Sequence, residues 1–165
     1  MLDGLFIPGL VSFLLAHVCY IVLFGSDARW FTDRRALCGI AAIGIAMYAY
    51  LWTHGLPSAM RAPVAAYVCV IALMAAQAWS RHQQLCTRSS LLVALGASFF
   101  MFSDSVLAIN RFVQPLPWAA IWVLSSYYIA QTLIVAGCLM SYLNAREKIQ
   151  PAHTASAILA NAPAS

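Results

Sequence analysis

Hydrophobic positions fall along this chain in five long blocks, at about 5–24, 36–56, 62–80, 89–109 and 117–142. Each is long enough for one helical crossing of a bilayer, which needs about 20 predominantly apolar residues. The stretches between them, GSDARWFTDRR, HGLPSAMRAP, SRHQQLCTRSS and NRFVQPLP, carry the Gly, Pro and charged residues of short loops. None is large enough to be a soluble domain. The pattern predicts an all-α, polytopic membrane helix bundle over residues 1–149. The tail 150–165, QPAHTASAILANAPAS, is rich in Ala, Pro and Ser and is expected to be disordered. No period of 20 to 50 residues repeats, which excludes a solenoid, and the absence of an inverted repeat weighs against a transporter.

Composition agrees with the pattern. Of 165 residues, 63% are hydrophobic and 8% charged, against about 25% charged in an ordinary soluble domain. The net charge of +4 raises the question of nucleic acid, but the basic residues stand singly or in pairs between apolar runs, as topogenic charges do. Arg29, Arg34, Arg35, Arg81, Arg88, Arg146 and Lys148, seven of the nine Lys and Arg residues, fall in the first loop, the third loop and the region after the last span. By the positive-inside rule those segments and the C-terminus are cytoplasmic and the N-terminus is outside. A bacterial inner membrane is the expected location. Asp3 precedes the first span and no basic n-region or cleavage motif does, so it makes a poor signal peptide. The five cysteines are widely spaced, with no CxxC pair, and are read as small packing residues, so neither a metal nor any other cofactor is expected.

Asp3, Asp27, Asp33 and Glu147 lie in terminal or loop positions, which leaves Asp104 as the one acidic residue at membrane depth. An ionised carboxylate near the bilayer centre costs roughly 2.5 to 3.5 kcal/mol on insertion scales, and such groups usually mark function. The bland alternative is that Asp104 accepts interhelical hydrogen bonds and locks the bundle. Arg111, seven residues on, lies about 10 Å along the helix axis. It can share a cavity with Asp104 without forming a close pair, as a phosphate contact or as an interfacial arginine. In SSYYIAQ, Tyr127 and Tyr128 lie four and three residues before Gln131, so only one tyrosine shares the main polar stripe with the glutamine, and polar groups of this kind should face the bundle. They serve either a polar head group or simple helix-to-helix bonding. The first span offers His17 and Tyr20 three residues apart, where a structural histidine is the default. Tyr67, Met74 and Gln77 share a face of the third span and are read as core packing.

The run FFMFSDSVLAINRF, followed by SSYYIAQTLIV and preceded by PGLVSFLLAHVCYIVLF and PVAAYVCVIALMAAQAW, resembles the YhhN-like family of integral membrane lysoplasmalogenases over about residues 5 to 142. The resemblance implies an eight-helix membrane protein that hydrolyses the vinyl ether bond of lysoplasmalogen, releasing a fatty aldehyde and glycerophosphocholine or glycerophosphoethanolamine. It implies Asp104 as a catalytic residue, and Asn110, Tyr127, Tyr128, Gln131, His17 and Tyr20 as substrate-binding residues. The implied partners are a lysophospholipid substrate and membrane lipids, with a homo-oligomer left open. Family members carry a second motif, a Gly-Asp in an early helix, which this sequence lacks together with three helices. A truncated gene model or late start codon is therefore expected.

Vinyl ether hydrolysis begins with proton addition to the β-carbon, giving an oxocarbenium ion that water captures as a hemiacetal. That step needs a positioned acid and a stabilising negative charge, the division of labour two carboxylates adopt in glycosidases. Which of the family's two aspartates is the acid stays open at this level. The competing readings are a small-solute or proton-coupled transporter with Asp104 as relay, and a non-catalytic membrane fragment.

Overall fold

A computed structural model describes residues 3–160, with side chains from 8 to 147. Among the described residues it is all-helical: α1 (Asp3–Gly25), α2 (Arg34–His54), α3 (Arg61–Leu85), α4 (Arg88–Phe112) and α5 (Ala119–Ala160), with a short 3-10 turn at Ser58–Met60. All five helices are long and apolar enough to cross a membrane. A 25-residue helix such as α4 is about 37 Å long, enough for the hydrocarbon core and part of each interface.

Local chemistry sets the helix ends. The Asp33 carboxylate accepts the N–H groups of Arg35 and Ala36 and starts α2. Thr87 and Ser90 exchange side-chain and backbone bonds in a capping box at the start of α4. In both cases a polar side chain satisfies backbone donors that a helix terminus leaves open. At its far end α5 runs on to Ala160. Residues 161–165 lie outside the described ones.

Helix α3 is the hub, packing against α1, α2 and α4, and α4 forms its broadest contact with α5. The α4–α5 seam depends on small residues. A Cβ at Gly96 would stand 2.8 Å from the Ala130 carbonyl oxygen, and one at Gly137 would stand 2.6 Å from that of Ser89. Hydrocarbon offers little hydrophobic drive for helix association in lipid, so close backbone approach of this kind is how such pairs gain contact. The core around the hub is correspondingly small-grained, with Ala75, Ala78, Ala94, Ala97 and Ala130 buried beside Met74, Phe100 and Ile134. Larger apolar side chains such as Leu15, Val22, Ile45, Leu124 and Val135 face outward.

One boundary differs in a way that matters. The third helix continues past Ser80 to Leu85, so the polar run SRHQQ, expected in a loop, is helical, with Ser80 and Arg81 buried in the bundle and Gln83 and Gln84 exposed. The loop joining α1 to α2 folds back onto it. Gln77 accepts the Phe31 N–H at 2.9 Å, Ser80 accepts the Asp33 N–H at 3.2 Å, and Gln84 accepts the Arg29 N–H at 2.9 Å. Arg81, expected as a topogenic loop charge, is 4% exposed. It donates two hydrogen bonds to Asp27, at 2.7 and 2.6 Å, and a third to Ser141 at 3.1 Å. These partners make burial of so polar a segment tolerable.

Candidate functional site

The SD pair of α4 is divided between two neighbours. Ser103 is buried against α5 and donates to the Val123 carbonyl at 3.0 Å. The next side chain on a helix is turned by about 100°, which carries Asp104 off the α5 seam and toward α3. There the Tyr67 hydroxyl donates to Asp104 Oδ2 at 2.6 Å. Among the described residues this is the one hydrogen bond that reaches the carboxyl group.

Asp104 lies in the wall of a cavity of about 260 Å³. All four of the first helices contribute to it: Leu10 and Phe13 from α1, Gly44, Met47 and Leu51 from α2, Tyr67, Val68 and Ile71 from α3, and Met101, Asp104, Ser105 and Leu107 from α4. The lining is almost wholly apolar. Among the described residues Asp104 is its one acidic side chain, and Arg111 stands toward the end of α4. Along α4 the cavity extends about 4 to 5 Å from Asp104 to Met101 in one direction and about 12 Å to Phe112 in the other. Among the described residues α1 and α2 have no Cα atoms within 8 Å of each other, so these two walls stand apart.

The remaining residues singled out in the sequence lie elsewhere. Tyr20 donates to Gln131 Oε1 at 2.8 Å, and Gln131 Nε2 donates to the Tyr127 hydroxyl at 3.4 Å, so α1 and α5 are joined by a polar cluster of their own. An aromatic partition separates it from Asp104. Phe100 meets Tyr127 edge to face at 5.4 Å between ring centroids and His17 at 4.7 Å, and His17 in turn meets Tyr67 at 5.6 Å. His17 is fully buried, with Nδ1 against the Phe13 carbonyl, and its Nε2 has no partner among the described residues. Asn110 accepts the Leu116 N–H at 2.9 Å, bracing the α4–α5 turn. Tyr128 is 64% exposed on the outer surface. None of these six side chains lines the Asp104 cavity.

The model of the YhhN family matches residues 1–138. The chain belongs to the YhhN family. It is 32% identical over 151 residues to the human (Homo sapiens) lysoplasmalogenase TMEM86A, covering 90% of this chain and 60% of that protein. It is 35% identical over 136 residues to the Rattus norvegicus lysoplasmalogenase TMEM86B, covering 82% and 53% of the two lengths. The lysoplasmalogenase of Mycobacterium tuberculosis is 29% identical over 136 residues, 80% of this chain and 50% of its own length. This YhhN chain thus spans between half and 60% of the curated relatives it matches. No solved structure matches it.

Sequence reasoning missed Tyr67 in this YhhN site, reading it as packing on α3. The signal was there in a general form. A phenol in a membrane span must find a hydrogen-bond partner inside the bundle, and the spans offer one carboxylate. What periodicity on α3 could not supply was the rotation of α4 against it.

Proposed function

We propose that this chain is a membrane-embedded lysoplasmalogenase, or the portion of one that carries its acid, cleaving the vinyl ether bond of lysoplasmalogen to a fatty aldehyde and glycerophosphocholine or glycerophosphoethanolamine. The observation that carries the reading is Asp104 in the wall of an apolar cavity within the bundle. Vinyl ether hydrolysis needs a proton delivered to a carbon atom that sits between a hydrocarbon chain and a polar head. A cavity that is apolar around one carboxyl group suits such a substrate. The names of the curated relatives point the same way.

Asp104 acts as the general acid. Its proton passes to the β-carbon, a C–H bond forms, and the positive charge is shared between the former vinyl carbon and the ether oxygen. Water attacks that carbon, and the carboxylate left on Asp104 takes up the proton water gives off. The hemiacetal then collapses to aldehyde and alcohol, so the net change is addition of one water. The substrate lies with its head toward the Arg111 end, where a guanidinium suits a phosphate. Along α4 the lining reaches only about 5 Å past Asp104, too short for a long alkenyl chain, so the chain leaves between α1 and α2 into the bilayer. His17, Tyr20, Tyr127 and Gln131 back the wall, and Asn110 braces the turn into α5. With the charge-rich end and the C-terminus cytoplasmic in a bacterial inner membrane, Asp104 lies in the outer-leaflet half.

The test is substrate choice. Purified protein in mild detergent is expected to release aldehyde from lysoplasmalogen and to leave intact the ester-linked and the saturated ether-linked lysophospholipids of the same head group, as followed by mass spectrometry. Neither of the latter offers a β-carbon to protonate. Release of fatty acid from the ester, with the vinyl ether untouched, would remove the proposal.

A further inference from the structure

Tyr67 is assigned no role by the sequence motifs, yet among the described residues it is the one that holds Asp104. Its hydroxyl reaches Oδ2 alone, at 2.6 Å. The phenol is itself held: the His17 ring stands edge-on at 5.6 Å, and α3, the hub of the bundle, fixes its backbone. A carboxylic acid has two unlike oxygens. The carbonyl oxygen is the good acceptor, and the hydroxyl oxygen carries the proton. A donor fixed on Oδ2 makes Oδ2 the carbonyl oxygen and assigns the proton to Oδ1.

We propose that Tyr67 is a positioning residue that keeps the transferable proton of Asp104 on Oδ1 and stabilises the carboxylate formed when that proton leaves. This rests on the acid role given to Asp104 above. As the O–H bond of the carboxyl group breaks and the C–H bond of the substrate forms, negative charge grows on both carboxylate oxygens. The Tyr67 bond passes from a neutral to a charge-assisted one without any atom moving far. Hydrogen bonds to ionised groups are roughly twice as strong as neutral ones, so the bond strengthens on the way to the transition state. An interaction that grows in this way acts on kcat rather than on substrate binding. Its removal is expected to lower kcat roughly tenfold.

The experiment combines infrared spectroscopy with kinetics on the full chain, comparing wild type, Asp104→Asn and Tyr67→Phe. Phenylalanine keeps the ring against His17 and removes only the hydroxyl. The carbonyl stretch of a protonated carboxyl group is expected in wild type and absent in Asp104→Asn. In Tyr67→Phe it moves to higher wavenumber, because the C=O has lost its donor. Tyr67→Phe is also expected to lower kcat about tenfold at an unchanged KM. A band at the same place in wild type and Tyr67→Phe, no protonated carboxyl in wild type, or an unchanged kcat overturns the proposal. A shifted band in a protein that releases no aldehyde in any form supports the proton's placement and refutes the hydrolase reading instead, so the two failures are told apart.

Discussion

Asp104→Asn is expected to lower aldehyde release from lysoplasmalogen by about 10²- to 10⁴-fold, the range that general acid–base catalysis contributes, while the protein folds as wild type does. Asparagine has almost the volume of aspartate, and its side-chain oxygen can accept the Tyr67 hydroxyl as Oδ2 does now. It has no acidic proton to deliver. This substitution therefore separates the two readings that the sequence leaves open. If Asp104 only ties α4 to α3, the amide does so equally well and turnover persists. If it is the acid, the fold survives and the chemistry does not. Stability should change little, because a neutral amide replaces a neutral acid of nearly the same volume and keeps the Tyr67 hydrogen bond. Helical circular dichroism, elution as a single species and the thermal midpoint check the fold, and initial rates of aldehyde formation check the chemistry.

The second large effect lies at the other end of the bundle. Asp27→Ala is expected to destabilise the protein by about 3–5 kcal/mol, and Arg81→Met by clearly less. The asymmetry follows from exposure. The Arg81 side chain is 5% accessible and that of Asp27 44%. Removing Asp27 leaves a guanidinium buried without its counter-charge, and one of its nitrogens, Nη1, already lacks a partner among the described residues. Removing Arg81 leaves a carboxylate that water can reach. Breaking a pair from the exposed side thus costs more than breaking it from the buried side. The double variant should resemble Arg81→Met rather than the sum of the two. Denaturation with sodium dodecyl sulfate in mixed micelles measures the three changes. Tyr67 and Arg81 are 14 positions apart on α3, about 21 Å along its axis. Activity per folded molecule should therefore stay near that of wild type in all three, which distinguishes a staple from a catalytic group.

The membrane spans were legible because one physical rule dominates them. About 20 apolar residues must cover the hydrocarbon core, and the five blocks do so with few interruptions. The end of α3 was harder for the same reason. Ser80 and Arg81 look like loop residues by polarity, and only the fold of 26–33 over them reveals that their hydrogen bonds are met inside. Asp104 was legible as an exception to the apolar rule. Its partner was not, since which face of α4 meets α3 depends on the packing at Gly96 and Gly137 and on the Ser103 bond to α5. The Tyr20–Gln131–Tyr127 cluster shows both sides of this. Each member announced itself as polar in a span, and their meeting across α1 and α5 could be anticipated only as a need for partners. That the cluster stands behind Phe100 and His17, apart from the Asp104 cavity, is a property of the assembled bundle.

The most direct test of Asp104 as the acid is hydrolysis of lysoplasmalogen in D₂O by wild type and Asp104→Asn, with the aldehyde analysed by mass spectrometry and NMR. Protonation at the β-carbon predicts a single deuterium on the carbon next to the aldehyde carbonyl in the wild-type product, and almost no product from the variant. Aldehyde without deuterium at that carbon, or equal amounts of labelled aldehyde from both proteins, would contradict it.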